Sequence, residues 1–180
     1  MSIANQMVSE NHGKVIAPRT IEIQRLLPGP MERIWDYLTK SELRKQWLAA
    51  GEMDLKVGSE FTLTWRNDEL DTELGARPEG KSSEHTAKMR VTVCEPPRKL
   101  AYIFGDAGEV SFELKPAGDK ILLTLIHSKA PDRGTMLGVS AGWHAHVDVL
   151  VGILTGRKSK PFWDNWAALK PVYDKNIPAD

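Results

Sequence analysis

The sequence predicts an α+β fold in which an antiparallel sheet of about six or seven strands packs against one long helix near the C-terminus. Several short segments alternate apolar with polar residues and are separated by Gly, Pro and Asp, which is typical of half-buried strands joined by tight turns. One long apolar segment follows them, with Trp143, Val147, Leu150 and Leu154 on a single stripe, as in an amphipathic helix. Strands and helices therefore occupy separate stretches of the chain, which defines the α+β class.

The N-terminal part is predicted as one strand followed by two short helices. Residues 20–26 alternate Ile21 and Ile23 with polar residues, and Pro30 is well placed to begin a helix. Apolar residues then recur at helical spacing, namely Met31, Ile34, Trp35 and Leu38. Ser41 is predicted to cap a second short helix that places Leu43 and Trp47 on one face.

The middle of the chain is predicted as the rest of the sheet, with strands near 61–65, 87–93, 100–104, 110–114 and 121–127. Residues 66–85 interrupt this pattern and form a loop longer than most in a compact domain. The loop is predicted to be a solvated flap because it is rich in acidic residues, namely Asp68, Glu69, Asp71, Glu73 and Glu79. A hairpin insertion and a mobile lid remain the two alternatives.

The two ends of the chain are predicted to differ from the central domain, which spans 19–156. Residues 1–18 are polar and aperiodic, and we expect a disordered leader. Residues 157–180 form an aromatic tail with a short helix that begins at Pro161 and that Pro171 should stop or kink. The tail carries Phe162, Trp163 and Trp166, which we expect to pack within the molecule; a cap on a cavity and a homodimer surface are the alternatives.

Composition excludes several classes of protein. The 24 basic residues equal the 24 acidic ones, so no long-range positive field favours nucleic acid as a partner. The single cysteine, Cys94, cannot form an internal disulfide and is predicted to be a small buried residue, which suits the cytoplasm. The N-terminus lacks the charged start and apolar core of a signal peptide, and no stretch is expected to reach the apolar length needed to span a bilayer.

His127 is the first candidate functional residue. Strand alternation places Leu123, Leu125 and His127 on one face, so His127 should point toward the long helix. A role as a ligand hydrogen bond or as a general acid or base is one interpretation, since imidazole titrates near neutral pH. A core histidine satisfied by a backbone carbonyl or by a neighbour on the helix is the favoured one.

The long helix carries two more histidines. His144 and His146 lie about 200° apart around a helix axis, so they cannot converge on one metal ion. His144 and Asp148 share a face and are predicted as a surface pair. His146 lies beside the apolar stripe and is the better candidate for a cavity contact, with His127 as its partner across the junction of sheet and helix. We expect no metal and no cofactor, because glycine-rich phosphate loops, cysteine pairs and nucleophile elbows are absent from the sequence.

An ordered set of motifs resembles the START-like (SRPBCC, birch-pollen-allergen-type) superfamily over roughly 19–156, and within it the bacterial branch related to activators of the heat-shock-protein-90 ATPase. The motifs are PMERIWDYLT, QWL, VGSEFTLTW, PPRKLAYIF, VSFELKP, LLTLIHS and GWHAHVDVL. This resemblance implies a helix-grip fold, in which a curved sheet wraps the C-terminal helix and leaves a cavity between them. The loop 66–85 and the aromatic tail depart from the shorter members.

Three functions are compatible with these residues. The leading hypothesis is a binder of a hydrophobic or aromatic small molecule, with a candidate site made of Trp47, Phe61, Trp65, Phe104, Phe112, Leu125, His127, Trp143, His146, Val147 and Leu150. The second is an enzyme of the polyketide cyclase or dehydratase type that uses His127 as acid or base. The third is a co-chaperone-like regulator with a chaperone as its partner.

Overall fold

The structure, a computed structural model, describes residues 12–70 and 77–179. It confirms the predicted α+β class: the strands form one antiparallel sheet in the order β1-β2-β7-β6-β5-β4-β3. The strands are β1 Lys14–Ala17, β2 Thr20–Pro28, β3 Glu60–Trp65, β4 His85–Glu95, β5 Lys99–Phe104, β6 Glu109–Ala117 and β7 Lys120–Ser128. A bulge between Val91 and Val93 breaks the register of β4 with β5, and such a bulge bends a sheet.

Four helices accompany the sheet in the described residues, together with a 3-10 turn at Asn67–Glu69. They are α1 Met31–Thr39, α2 Ser41–Arg44, α3 Arg133–Thr155 and α4 Phe162–Asn176. The long helix α3 packs on the sheet, and α4 packs on α3. This is the helix-grip arrangement with an added C-terminal helix.

Alternation along the central strands produces the buried face of the sheet. In β2, Ile21, Ile23 and Leu27 are buried, while Gln24 and Leu26 between them are exposed. The same alternation in β7 buries Leu123, Leu125 and His127. His127 therefore points inward, as the sequence predicts.

The helix α3 is the apolar centre of the fold. The Asp132 carboxylate accepts a hydrogen bond from the Thr135 amide at 2.6 Å and caps its start, and Gly156 ends it in the left-handed conformation. Between these caps only Arg133 and Asp148 carry a formal charge. By length and composition the helix could cross a membrane, so the expectation that no stretch reaches the apolar length of a membrane span is wrong. In this fold most of its apolar stretch is buried inside the protein.

A buried arginine organises the segment between α2 and β3. The Arg44 guanidinium is fully buried and donates to the carbonyl oxygens of Thr39, Ala49 and Gly51. Burial lowers the pKa of Arg44, and the carbonyl dipoles are its hydrogen-bond partners. The neighbouring Trp47 is also fully buried, and its indole Nε1 donates to the Tyr37 carbonyl at 2.8 Å. These bonds hold the backbone of residues 47–51 against the core.

Several local predictions need correction. The leader predicted over 1–18 lies partly outside the described residues, but residues 14–17 form the edge strand β1 through backbone pairing with β2. Ser41 is the first residue of α2 rather than its cap, and its hydroxyl accepts from the Gly51 amide. Pro171 lies inside α4, which continues to Asn176.

The loop 66–85 is not entirely a solvated flap. Asp68 accepts hydrogen bonds from Trp163 Nε1 at 2.8 Å and from Arg77 at 2.6 Å, so this part of the loop is tied to α4. Glu69 and Glu79 are exposed as expected, while the predictions for Asp71 and Glu73 lie outside the described residues. Cys94 on β4 is half-buried, and burial raises the pKa of its thiol.

Candidate ligand-binding cavity

A cavity of about 1160 Å³ lies between one end of the sheet, α3 and α4. Its walls come from the loop at 80–82, the start of β4, the turn after Phe104, the N-terminal half of α3 and the start of α4. The volume lies just above the range of about 300 to 1,000 Å³ found for small-molecule pockets. The space is therefore large enough for a ligand of several fused rings.

The helix α3 leaves room for this cavity because two of the residues that face it are glycines. Thr135, Gly138, Gly142 and His146 line the cavity at helical spacing. A β-carbon added at Gly138 or at Gly142 would meet no atom within 4 Å. Glycine inside a helix costs up to about 1 kcal/mol relative to alanine. The two glycines therefore lower the stability of the helix but leave volume open beside it.

Aromatic rings form most of the apolar wall. The Trp65 and Phe104 ring centroids lie 5.6 Å apart, and those of Phe104 and Trp143 lie 5.3 Å apart. On the opposite side, Phe162 and Trp163 from α4 contact each other edge to face at 5.1 Å. Such arrangements are favourable for aromatic pairs and present ring faces and edges to any molecule inside.

His127 is held by hydrogen bonds at both ring nitrogens. Its Nε2 lies 2.7 Å from the Ala107 carbonyl oxygen, and its Nδ1 accepts from Trp143 Nε1 at 3.0 Å. A carbonyl only accepts, so Nε2 carries the proton and the ring is the neutral Nε2–H tautomer. Burial lowers the pKa of His127, opposed in part by the bond to Ala107. His127 is thus a core histidine satisfied by both kinds of partner that the favoured interpretation named.

His146 has one ring nitrogen engaged and one left over. Nδ1 lies 2.8 Å from the Trp47 carbonyl oxygen, so Nδ1 carries the proton and Nε2 is an acceptor. No partner for Nε2 is found among residues 12–70 and 77–179. The ring is 6% exposed, packs on Phe162 at 4.4 Å and lines the cavity. Burial lowers the pKa of His146 to about 4, so the ring is neutral near pH 7.

Asn67 supplies a second unused acceptor that the sequence did not single out. It follows β3 at the start of the 3-10 turn and lines the cavity. Its Oδ1 is the one buried side-chain oxygen or nitrogen without a hydrogen-bond partner in the part of the chain that the structure describes. Buried acceptors are nearly always paired in native proteins, so this oxygen is available to a donor that the described residues do not supply, such as a water molecule or a ligand hydroxyl.

The eleven predicted site residues separate into two groups. Trp65, Phe104, Trp143 and His146 line the cavity. The remaining seven do not line it and pack in the hydrophobic core or beside it, namely Trp47, Phe61, Phe112, Leu125, His127, Val147 and Leu150. The sequence reasoning missed the two glycines of α3, whose spacing of four on an apolar helix was the available signal. It ranked Phe162, Trp163 and Trp166 first as internal packing; they are buried, and they also line the cavity.

His144 and Asp148 do not form the predicted surface pair. His144 is 5% exposed because α4 and Gly13 cover this side of α3. The Gly13 amide donates to the Tyr173 hydroxyl at 2.7 Å, and that hydroxyl lies 2.8 Å from His144 Nδ1. His144 Nε2 in turn lies 3.4 Å from an Asp148 oxygen. The chain of contacts therefore joins three separate segments.

Two further donors complete this network at Asp148. Arg25 on β2 donates to one carboxylate oxygen at 3.3 Å, and Asn165 on α4 donates to the other at 2.9 Å. Desolvation opposes the charge of Asp148, but its bonds to His144 and Asn165 and the positive charge of Arg25 lower its pKa overall. The network lies outside the cavity lining, and we interpret it as the anchor of α4 and the N-terminal strand.

Metal-binding clusters of three or more His, Cys, Asp or Glu are not found within residues 12–70 and 77–179. The two histidines of α3, His144 and His146, have different hydrogen-bond partners on opposite sides of the helix. Their separation follows from the helical period, as the sequence analysis expected.

The fold and the cavity define a START-like helix-grip protein. Residues 28–155 match the family model described as Activator of Hsp90 ATPase homolog 1-like protein, and the chain belongs to this family. The match ends before α4, so the helix that closes one side of the cavity lies outside it. A search of curated proteins finds no match.

Solved structures with the same fold include a relative of substantial identity. The solution structure of the protein encoded by BPP1335 from Bordetella parapertussis is 36% identical, with 93% of this chain and 91% of that chain covered and a TM-score of 0.78. CalU16 from Micromonospora echinospora is 20% identical, with coverages of 92% and 94% and a TM-score of 0.63. MLL2253 from Mesorhizobium loti is 22% identical, with coverages of 78% and 100% and a TM-score of 0.62.

Proposed function

We propose that this protein binds an aromatic or hydrophobic small molecule in the cavity between the sheet, α3 and α4. The observation that carries the proposal is open volume of about 1160 Å³ beside two α3 glycines and a wall of aromatic rings. A packed core would have closed this space, because protein interiors leave few voids larger than a water molecule. The half-buried thiol of Cys94, which forms no disulfide, agrees with a cytoplasmic location, which we include in the proposal.

Filling the cavity tests this function directly. In the double variant Gly138→Phe/Gly142→Phe, two rings would occupy the space that the glycines leave open. We expect the affinity for a polycyclic aromatic probe such as 2-naphthol to fall at least about tenfold, as measured by quenching of tryptophan fluorescence. The matched control is Gly138→Ala/Gly142→Ala, which adds little volume and should bind within about twofold of the wild type. Equal binding by both variants and the wild type would contradict the proposal.

Acid or base catalysis by His127 is not supported by the geometry. Both of its nitrogens are engaged, by Ala107 and by Trp143, and it does not line the cavity. A general acid or base must reach the substrate proton by a hydrogen bond, and neither nitrogen is free to do so. We therefore favour a binder that releases its ligand unchanged.

Regulation of a chaperone is the second candidate, because the matching family is described by an activator of the Hsp90 ATPase. Such a regulator would act through its outer surface and would not need the cavity. The test is the ATPase rate of Hsp90 from the same host with the wild type and with Gly138→Phe/Gly142→Phe. Equal stimulation by both proteins would support regulation without a ligand, and an unchanged ATPase rate would exclude it.

A further inference from the structure

Two of the four tryptophans that line the cavity have indole donors that the protein already uses. Trp143 Nε1 donates to His127 Nδ1 at 3.0 Å, and Trp163 Nε1 donates to Asp68 at 2.8 Å. An indole nitrogen carries one hydrogen, so neither ring can donate a further full hydrogen bond to a ligand. A ligand that offers only acceptors therefore finds no free donor on these two rings.

Two acceptors on the wall are unused. His146 Nε2 keeps its lone pair because Nδ1–H is committed to the Trp47 carbonyl, and His146 is 6% exposed. Asn67 Oδ1 is buried without a partner. Both residues line the same cavity. A buried acceptor left unpaired is destabilising, so Asn67 Oδ1 would gain from a donor on a ligand, and the free lone pair of His146 Nε2 could accept from the same ligand.

We propose that His146 and Asn67 form an acceptor subsite that selects aromatic ligands carrying hydroxyl donors, such as phenols, over ethers and carboxylates of the same ring size. This inference rests on the proposed function, since it assigns the chemistry of the molecule that occupies the cavity. Repulsion adds to the selection at His146, because the oxygen of an ether or a carboxylate would face the Nε2 lone pair with no proton between them. The subsite is thus selective in both directions.

Four charged residues that line the cavity could also influence which ligand binds. Lys81 and Lys88 line the cavity and would favour a carboxylate, while Asp106 and Asp132 line it and would oppose one. Lys88 is exposed, and the Lys81 ammonium already lies 5.1 Å from the Trp166 ring. These charges are screened by water, whereas Asn67 Oδ1 is a buried atom and the His146 side chain is 6% exposed. We therefore expect the acceptors to decide selectivity.

The experiment compares three naphthalene probes that share one ring system: 2-naphthol, 2-methoxynaphthalene and 2-naphthoate. Dissociation constants are measured by tryptophan fluorescence at pH 7 for the wild type and for two variants. His146→Asn keeps an amide N–H near the position of Nδ1 for the Trp47 carbonyl but removes the Nε2 acceptor. Asn67→Leu keeps the shape and removes the amide. The matched control is Gln24→Leu, which makes the same kind of amide-to-leucine change at an exposed residue of β2 that does not line the cavity.

We expect the wild type and Gln24→Leu to bind 2-naphthol about tenfold more tightly than 2-methoxynaphthalene, the size of one net hydrogen bond of about 1.4 kcal/mol. The ratio should fall to about three or less in each of the two subsite variants, with the methoxy probe little affected. Equal binding of naphthol and ether by the wild type would overturn the subsite and leave the proposed function standing. Tighter binding of 2-naphthoate would also overturn it, in favour of the lysines. Absence of binding by all three probes would count against the proposed function itself.

Discussion

Trp143 on α3 donates its indole N–H to Nδ1 of His127 on β7 at 3.0 Å, and this bond joins the long helix to the sheet at the edge of the cavity. The bond fixes the His127 tautomer, because Nδ1 can accept a hydrogen bond only while the proton resides on Nε2. The Nε2–H group in turn donates a hydrogen bond to the Ala107 carbonyl oxygen. We expect the ¹⁵N shifts of the His127 imidazole to show the neutral Nε2–H form at pH 7. A protonated ring or the opposite tautomer would contradict this arrangement.

Replacing Trp143 by Phe should lower the free energy of unfolding by more than the same replacement of a tryptophan without a hydrogen bond. In Trp143→Phe the Nδ1 acceptor of His127 loses its partner while remaining buried, and we expect about 1 to 3 kcal/mol less unfolding free energy beyond the volume effect. Trp35→Phe is the control, since the Trp35 indole forms no hydrogen bond within the described residues and is also buried. Urea unfolding measures both variants. Equal losses for the two substitutions would show that the bond contributes nothing.

Stability should fall in mild acid because His146 is buried as the neutral imidazole. Burial lowers its pKa from 6.5 to about 4, so between these values the unfolded chain binds a proton that the folded chain does not. The contribution of His146 to the free energy of unfolding is therefore fully present above about pH 6.5. It is lost as the pH drops toward 4, which lowers the stability by about 3 kcal/mol. Urea titrations at pH 7 and 4.5 measure the difference. His146→Asn should lose less stability over the same interval, and a loss equal to that of the wild type would rule out this origin.

Two glycines of α3 should respond in opposite ways to the same substitution. Gly138→Ala adds a β-carbon in open space and removes the helix penalty, so we expect a gain of about 0.5 to 1 kcal/mol. Gly152→Ala places its β-carbon 2.7 Å from the Arg157 carbonyl oxygen, where the backbone after the helix returns, and we expect a loss. Thermal unfolding of the two variants is the measurement. A gain at both positions would indicate that the close approach at Gly152 relaxes without cost.

The anchor of α4 should depend on one hydroxyl group. Tyr173→Phe removes the acceptor of the Gly13 amide and the hydrogen-bond partner of His144, so we expect about 1 to 3 kcal/mol less stability and faster hydrogen exchange at Gly13. Tyr37→Phe is the control, because the Tyr37 hydroxyl has no hydrogen bond within residues 12–70 and 77–179. Unchanged exchange at Gly13 in the Tyr173 variant would show that the network does not hold the N-terminal strand.

Much of the fold was predictable because it follows from periodicity within single segments. Alternation located the central strands and the inward direction of His127, and the long apolar stripe located α3. Backbone pairing formed β1 from residues without a strong pattern, and that pairing depends on the neighbouring strand. Pro171 was expected to stop or kink the last helix, whereas α4 continues past it to Asn176.

The site was less predictable because it depends on contacts between distant segments. The His127 partners come from the β5–β6 turn and from α3, and the cover over His144 comes from Tyr173 in α4. No spacing rule within one segment reports such contacts. The glycine pair 138 and 142 was readable in principle, because two residues without side chains four apart on an apolar helix leave a gap.

The central claim, that the cavity receives an aromatic ligand, is tested most directly by the indole N–H signals of the six tryptophans during a titration with 2-naphthol. Four of them line the cavity, namely Trp65, Trp143, Trp163 and Trp166, whereas Trp35 and Trp47 do not. We predict saturable shifts at the four with little change at the other two. Shifts spread equally over all six signals, or none at saturating probe, would contradict the account.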